Sequence, residues 1–396
     1  MKKGWKILSF GELGRVFNGN SISEAEKKAH FEGIDNGVPY IGTKDVSFDH
    51  EVAYESGVKI PDDRRDDFKL APANTVLVCA EGGSAGRKIA HTDREIYFGN
   101  KLFAICPSPP ISSRWIFYYC LSDDFAKQFK GSMTGLIGGV SINKFKELSV
   151  PVPPLAEQQR IVGLLDEAFE GLATAKANAE KNLQNARALF ESHLQSVFTQ
   201  RGPGWVEKRF DEVCAITSTL VDPRKKEFLD LTHVGAGNIE SKTGVFVDLK
   251  TAREEGLISG KFLFDESMVL YSKIRPYLMK VSRPDFEGLC SADMYPLSPI
   301  KNVITRDYLF HLLLSKHFTD YAIQGSARAG MPKVNRDHLF EFRVWLPDVK
   351  KQKQLATNLD DLREETQRLA RLYERKHAEL EALKKSLLHQ AFAGEL

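Results

Sequence analysis

The sequence has little that would suit a membrane protein, a secreted protein or a zinc module. It contains no run of about 18 apolar residues, so no transmembrane helix is predicted. Its first residues lack the apolar core and the A-x-A site of a signal peptide. The five cysteines are scattered and form no C-x-x-C pair, a pattern that favours a reducing cytoplasm and argues against structural zinc. We therefore expect a cytoplasmic protein that binds no metal.

Catalytic motifs are also missing. The glycine-rich segment Glu81–Lys88 (EGGSAGRK) lacks the G-x-x-x-x-G-K-S/T frame of a phosphate-binding loop, and we interpret it as a polar turn. No F-x-G-x-G or D/N-P-P-Y/F motif of a methyl-transfer pocket occurs. Asp62 and Asp67 only superficially resemble a nuclease metal site, because they are too close in sequence to lie on neighbouring strands. We therefore predict that the chain is not an enzyme.

An internal repeat organises the chain. An offset of 194 residues aligns Gly131-Ser132 with Gly325-Ser326 and, without a gap, Gln158 with Gln352, Asp166 with Asp360 and Phe198 with Phe392. Earlier segments match at offsets that vary between 188 and 200. Varying offsets indicate loop insertions, whereas a constant offset indicates a segment that tolerates none. The sequence is therefore a tandem duplication of one unit, a globular domain followed by a helix.

The two helices have apolar residues at a spacing of three and four over several heptads. The first is predicted from Leu155 to about Thr199. Small residues line its seam, at Ala168, Ala175, Ala179 and Ala186. Large residues stand at the matching positions of the second helix, at Leu362, Leu369, Tyr373 and Leu380. This complementarity predicts two antiparallel helices that pack as a coiled coil; two helices lying separately on globular cores are the alternative.

Outside the two long helices, short β-rich runs alternate with loops and one short helix. This pattern indicates an α+β (mixed α/β) fold for both globular segments. The predicted organisation is a first domain over residues 1–150, a spacer helix over 151–202, a second domain over 203–346 and a C-terminal helix over 347–396. A formal net charge of +2 does not itself point to nucleic acid, so any such function must depend on local basic stretches.

Three stretches contain basic residues and no acid. They are residues 127–146, 267–284 and 324–336. Such stretches suit a surface that contacts phosphates, with polar loops able to reach base edges; ordinary solvated faces are the alternative for any one of them. We predict base reading by the equivalent loops Ser132–Asn143 and Ser326–Arg336, with help from Lys44, Asp45, Thr232 and His233. The candidate DNA-binding residues are Lys44, Arg87, Lys88, Lys130, Ser132, Thr134, Asn143 and Lys144 in the first domain, and Thr232, His233, Lys273, Arg275, Lys280, Arg283, Arg328, Lys333, Asn335 and Arg336 in the second.

The sequence PVPPLAEQQRIVGLLDEAFE, repeated as VWLPDVKKQKQLATNLDDLRE, resembles the helix-opening motif of specificity subunits of type I restriction–modification systems. SKIRPYLMK and the terminal LLHQAFAGEL are also similar to that family. The resemblance covers essentially the whole chain and its domain order. It implies that each domain recognises one half of a split double-stranded DNA site, and that the helices space the two halves.

The resemblance also implies partners. Two modification (methyltransferase) subunits would dock on the helices and restriction (translocase) subunits would join them, with S-adenosylmethionine, ATP and magnesium bound by these partners and no cofactor bound by this chain. The helix openings then supply the candidate partner-binding residues, Glu157, Gln158, Arg160, Gln352 and Gln354. The second opening departs from the first because it lacks the counterparts of Pro154, Glu157 and Arg160.

Two other functions fit the same architecture. A stand-alone DNA-binding regulator would purify without a methyltransferase partner. A coiled-coil scaffold that binds only proteins would show no salt-dependent shift of DNA in a gel.

Overall fold

The computed structural model describes residues 4–135, 138–326 and 331–396, which form two compact units. The first comprises the chain up to Ala179 together with Arg375–Leu396, and the second comprises Glu180–Glu374. Each unit therefore contains one globular domain, the first part of the helix that follows it and the last part of the other long helix. No helix in the described ranges is long and apolar enough to cross a membrane.

Within its described residues, the first globular domain has ten strands and five α-helices. The strands are β1 (Lys6–Ser9), β2 (Gly14–Asn18), β3 (Val38–Ile41), β4 (Lys59–Ile60), β5 (Leu70–Ala71), β6 (Val76–Cys79), β7 (Ile89–His91), β8 (Ile96–Phe98), β9 (Leu102–Pro107) and β10 (Ser149–Val152). The helices are α1 (Phe10–Leu13), α2 (Glu24–His30), α3 (Ser113–Cys120), α4 (Asp123–Ser132) and α5 (Ile142–Glu147). The long helix α6 follows over Leu155–Thr199, as the periodicity predicted.

The described part of the second globular domain has eleven strands and three α-helices. The strands are β11 (Val206–Arg209), β12 (Cys214–Ala215), β13 (Leu220–Val221), β14 (Thr232–Val234), β15 (Lys250–Thr251), β16 (Lys261–Phe264), β17 (Val269–Ser272), β18 (Val281–Ser282), β19 (Gly288–Cys290), β20 (Met294–Pro299) and β21 (Arg343–Leu346). The helices are α7 (Arg306–Leu314), α8 (Lys316–Gln324) and α9 (Arg336–Glu341), and the long helix α10 spans Val349–Ala393.

The two domains share one sheet topology, which confirms the predicted mixed α and β fold. The antiparallel sheet β2-β9-β6-β7 of the first domain corresponds to β12-β20-β17-β18 of the second. The mixed sheet β4-β3-β8-β5 corresponds to β15-β14-β19-β16, with β13 added at the edge of the second copy. Its parallel pair is β3 with β8 in one domain and β14 with β19 in the other.

The cores explain why these segments fold as they do. The run Val76–Cys79 is buried at every position, as is Val269–Ser272, because both are central strands covered on two faces. Aromatic rings fill the space between sheet and helices: Phe10 packs on Phe125 and Phe145 in the first unit, and Phe210 packs on Phe318 and Phe342 in the second. Burial of these rings contributes to the hydrophobic stabilisation of each domain.

A two-stranded ladder joins the first and last strands of each domain. β1 pairs with β10, and β11 pairs with β21. The last strand leads within three residues into the long helix, so the start of that helix is held beside its own domain. The far end of the other long helix packs on the same domain, with Phe392 against Trp115 in the first unit and Phe198 against Tyr308 in the second.

Candidate nucleic-acid interface

Three loops of the first domain are tied together at one place. The Lys88 ammonium donates a hydrogen bond to the Thr43 carbonyl at 2.9 Å, which joins the turn between β6 and β7 to the loop after β3. The Gly82 amide donates to the Gly138 carbonyl at 2.9 Å, which joins the same turn to the Gly-Ser loop. We call the surface formed by residues 42–50, 81–88 and the described part of 134–139 the first three-loop face.

The second domain repeats this construction with different side chains. The Lys280 ammonium donates to the Ala236 carbonyl at 2.5 Å, and the Arg275 amide donates to the Pro332 carbonyl at 2.9 Å. Gly82 and Arg275, the two residues whose amides join the loops, both have positive φ angles, of 80° and 50°. We call the surface formed by residues 235–243, 274–280 and 331–334 the second three-loop face.

The loop after β3 owes its shape to a carboxylate. Asp45 is buried, and its Oδ2 accepts the Gly42 amide at 2.8 Å while its Oδ1 accepts the Ser56 hydroxyl at 2.6 Å. In the second domain the Asn238 side chain accepts the Gly235 amide at 2.9 Å in the same turn. The prediction that Asp45 helps to read bases is therefore wrong, because its acceptor oxygens face the interior and form the turn.

Several predicted residues do lie on the first three-loop face. Lys44, Arg87 and Thr134 are exposed there. Lys88 is half-buried, and its ammonium donates the hydrogen bond that joins two of the loops. The face is not purely basic, since Glu81 is also exposed and pairs with Lys101 at 3.1 Å. Lys44 and Arg87 are therefore the cations of this face that are free to meet a phosphate.

The remaining residues predicted for the first domain gather at helices α4 and α5. Ser132 and Lys144 line one surface cavity of about 510 Å³, together with Gln128 and Glu147. Lys130 and Asn143 are exposed on the same two helices. The structure thus brings the two ends of the predicted Ser132–Asn143 loop together, although α4 and α5 occupy part of a segment that the sequence suggested was all loop.

In the second domain the structure contradicts three predicted DNA contacts. His233 is buried and its Nδ1 lies 2.8 Å from Glu255, and burial lowers the pKa of its imidazole. Lys273 is mostly buried and donates to the Ala292 carbonyl. Arg283 forms a bidentate pair with Asp360 at 2.9 and 2.8 Å and a further bond to Asp307 at 2.7 Å. The acid-free stretch misled the prediction because its cations find acids or carbonyls elsewhere in the fold.

Four other predicted residues of this domain have mixed positions. Arg275 is exposed on the second three-loop face, and Lys333 is on that face too but lies 3.6 Å from Asp293. Asn335 caps helix α9 by accepting the His338 amide at 2.7 Å, so at least its carbonyl oxygen serves the fold. Arg336 is exposed and donates to the Ile216 carbonyl at 3.3 Å.

Two predictions lie elsewhere. Thr232 is half-buried in β14, between β15 and β19. Arg328 lies outside the described residues.

The predicted partner contacts at the helix openings divide into two groups. Gln158 is buried; its Oε1 accepts the Ser112 amide at 2.8 Å and its Nε2 donates to the Pro153 carbonyl at 2.8 Å. Gln352 is buried in the same way and makes three bonds, from the Thr305 amide and to the Val303 and Pro347 carbonyls. A partner contact by these two side chains is therefore ruled out in the folded chain, because they anchor each helix to its own domain.

The other three stay accessible to different degrees. Gln354 is exposed. Arg160 is exposed but engaged, with bonds to Glu157 at 2.8 and 3.0 Å and to the main-chain oxygen of Leu396 at 2.7 Å. Glu157 is half-buried beneath it.

A second anchor, which the sequence reasoning missed, follows two helical turns later. Asp166 accepts hydrogen bonds from Arg114 and Tyr118, and Asp360, at the equivalent position, accepts from Arg283 and lies 2.9 Å from His311. The sequence did indicate this anchor, because the constant offset of 194 pairs Asp166 with Asp360 among the apolar positions of the two helices.

A metal site is not formed by the described ranges. Among residues 4–135, 138–326 and 331–396, no three histidine, cysteine, aspartate or glutamate side chains come together as metal ligands would.

Solved structures share this architecture. One chain, from a structure of complex assembly and conformational transition of the type I R-M system, aligns over 100% of this chain and 99% of its own length, with a TM-score of 0.76 and 17% identity. The HsdS subunit from Thermoanaerobacter tengcongensis aligns over 100% and 98%, with a TM-score of 0.63 and 18% identity. At this identity the likeness establishes the fold alone, a duplicated arrangement of globular domain and long helix.

Sequence comparison identifies the family. The family model for the type I restriction modification DNA specificity domain matches residues 2–183 and again 203–380. The specificity subunit of the type I restriction enzyme EcoDI from Escherichia coli is 28% identical over 312 residues, which is 70% of this chain and 69% of the relative. That of MjaVIII from Methanocaldococcus jannaschii is 22% identical over 373 residues, 82% and 79% of the two chains. The chain belongs to the type I restriction–modification specificity family, as its helix openings predicted.

Proposed function

We propose that this chain recognises a bipartite DNA site, one half with each three-loop face, within a type I restriction–modification complex. The observation that carries the proposal is the repetition of one construction in two domains with different exposed side chains. The hydrogen bonds that join the loops are equivalent, from Lys88 and Lys280 to the loop carbonyls. The exposed cations are not equivalent, with Lys44 and Arg87 on one face and Arg275 and Lys242 on the other, where Lys242 pairs with Glu191 at 3.2 Å.

A shared frame with different surface residues suits two readers of different half-sites. Lysine and arginine neutralise phosphates on either side of a groove, and the short polar residues beside them leave room for approach to base edges. The chain itself contributes no chemistry in this proposal. Methyl transfer, with S-adenosylmethionine, and translocation, with ATP and magnesium, belong to the partner subunits.

Exposed leucines on the long helices supply a surface for two modification subunits. Leu189 on α6 is 59% exposed, and Leu383, its equivalent on α10 at the offset of 194, is 48% exposed. Large apolar side chains left in water at equivalent positions of two repeats suit two copies of one partner. Leu155 and Leu164 are also exposed on α6, within the first unit.

Methylome sequencing tests this function. The chain would be expressed with its modification partners in a host without other adenine methyltransferases, and methylated positions would be mapped. We expect one motif made of two defined half-sites and an unspecified gap. A continuous motif, or methylation without sequence preference, would contradict bipartite reading. A purified complex should also shift DNA in a salt-dependent manner, which a scaffold that binds only proteins would not do.

A further inference from the structure

Almost every aromatic ring of this chain is at least partly covered by protein. Aromatic residues make up 10% of the sequence, and all of them lie within the described ranges. Only two are exposed: Phe48, with 52% of its surface accessible, and Tyr277, with 51%. One lies on the first three-loop face and the other lies on the second. Rings scattered at random over the surface would not be expected to fall one on each face, because the two faces make up only a small part of the surface.

The two rings do not derive from one ancestral position. Phe48 stands in the loop after β3; counted from the equivalent turns Thr43–Asp45 and Ala236–Asn238, its counterpart in the second domain is Ser241. Tyr277 stands in the turn between β17 and β18, where the first domain has the small residues of its glycine-rich turn. The duplication therefore did not supply both rings by copying. Each face acquired an aromatic residue in a different one of its three loops.

Cations surround Phe48. The Arg87 guanidinium carbon lies 4.9 Å from the ring centroid and the Lys88 ammonium lies 5.3 Å from it. These contacts fix the ring at the edge of the face while leaving half of it in water. A ring beside an exposed arginine suits nucleic acid, because the Arg87 guanidinium can meet a phosphate while the ring contacts a base.

The turn that carries Tyr277 is held in an unusual backbone conformation. Arg275 and Met279, which flank the one-turn helix Pro276–Leu278, both have left-handed φ and ψ angles, with φ of 50° and 49°. Residues other than glycine adopt this region at a cost, and such residues concentrate where a loop must present a ligand contact. The turn presents Tyr277 outward beside the exposed Arg275.

We propose that Phe48 and Tyr277 are aromatic contacts to DNA bases, one ring for each half-site. This inference rests on the proposed function, since it assigns base contact to specific residues of the two faces. Each ring is buried against a base face or a thymine methyl group when DNA is bound, while the neighbouring cations meet the flanking phosphates. The rings thus contribute to affinity for the correct sequence rather than to general attraction.

The test uses Phe48→Ala and Tyr277→Ala in the complete complex with its modification partners. Binding is measured on DNA that carries the mapped site and on DNA that lacks it, across a range of salt concentrations. Each variant should bind the mapped site roughly 5- to 100-fold more weakly. Affinity for DNA without the site should stay within about twofold of that of the unchanged complex. The salt slope should change by less than about 0.3, because no phosphate contact is removed.

Methylome sequencing then assigns each ring to its half-site. Phe48→Ala should relax sequence preference in one half only, and Tyr277→Ala in the other half only. Tyr277→Phe keeps the ring and should retain preference. Ile7→Ala and Ile258→Ala serve as matched controls, because both isoleucines are exposed but stand outside the three loops.

The remaining outcomes are distinct. If the unchanged complex binds no DNA, the proposed function fails. If it binds and both ring variants bind equally well, only the ring assignment is overturned. Equal weakening on both kinds of DNA would also overturn the ring assignment. A variant that loses its modification subunits but binds DNA as before would assign the rings to a protein contact instead.

Discussion

The two units hold their long helices with acids at the same helix position but with different domain residues. In the first unit Asp166 accepts from Arg114 and Tyr118, both on α3. In the second unit Asp360 binds Arg283, which follows β18, and His311 of α7. The helix residue is the same in both repeats, whereas the domain side has changed residue type and even element.

This difference explains the pattern of offsets in the sequence. A long helix that must meet its domain at Gln158 and Asp166, or at Gln352 and Asp360, cannot gain or lose a residue, since each added residue rotates the following side chains by about 100°. A domain loop can absorb an insertion at small entropic cost. The helices therefore keep the constant offset of 194, while the domains vary around them.

The difference between helix and loop can be tested by inserting residues into α6 and, separately, into a loop of the second domain. Four residues placed after Thr174 of α6 add close to one helical turn and about 6 Å of length. If the helices determine the spacing of the half-sites, a folded variant should methylate sites whose unspecified gap is longer by nearly two base pairs and whose halves are unchanged. Methylome sequencing measures this.

The matched control for that insertion is four residues after Gly256, in an exposed loop of the second domain. It should leave the gap unchanged. Recovery of the original gap in an active helix variant would show that the helices do not determine spacing.

A second comparison sets the two buried glutamines against each other. Gln352→Ala removes three buried hydrogen bonds and should cost about 3 kcal/mol of unfolding free energy, whereas Gln158→Ala removes two and should cost about 2 kcal/mol. Chemical denaturation measures both. Gln354→Ala, on the exposed face, should change stability by less than about 0.5 kcal/mol. Unchanged stability with lost partner binding in Gln352→Ala would restore the partner-contact interpretation.

Acid should weaken the contact between Asp360 and His311 that anchors α10 in the second unit. Burial raises the pKa of Asp360, but hydrogen bonds and charges from His311 and Arg283 outweigh it and hold the pKa well below its ordinary value. Burial lowers the pKa of His311, which also faces Arg283 and Arg363. The stability that Asp360 contributes is fully present above the ordinary carboxyl pKa of about 4 and is lost as the pH falls through its lower folded value.

For His311 the loss begins earlier, as the pH falls below the ordinary imidazole pKa of about 6.5, because the unfolded chain then takes up the proton first. His311→Gln should therefore remove about 1 kcal/mol of the stability difference between pH 7 and pH 5. Tyr118, the equivalent residue, has a pKa raised by burial and does not titrate there, so Tyr118→Phe is the control that should leave this pH dependence unchanged. A pH profile that His311→Gln does not flatten would contradict the assignment.

Two arginines that the sequence treated alike should respond differently to substitution. Arg275→Ala should lower the salt slope of DNA binding by about one with no measurable loss of stability, because the side chain is exposed on the second three-loop face. Arg283→Ala should leave the slope unchanged and destabilise the second unit, since it removes the bidentate partner of the Asp360 carboxylate. A lowered slope in Arg283→Ala would return that residue to the DNA surface.

These residues also show how far the sequence could be interpreted. Periodicity located α6, and the repeat indicated one topology for both domains, because burial patterns along helices and strands are local in sequence. The roles of Arg283 and His233 were not predictable, since each depends on a partner that is not its neighbour in sequence, Asp360 and Glu255 respectively. Asp45 bonds to the nearby residues Gly42 and Ser56, but the sequence does not show that its carboxylate is buried. An acid-free stretch indicates basic character but not whether its cations face water.

An exchange of one loop tests directly whether each domain reads its own half-site. The segment Ser326–Arg336 would be replaced by the corresponding segment of a family member with a different target, and methylated sites would be mapped with the unchanged partner subunits. If each domain reads its own half-site through its own three loops, one half of the methylated motif should change while the other half and the gap stay the same. A change in both halves, or in neither half of an active complex, would contradict that claim.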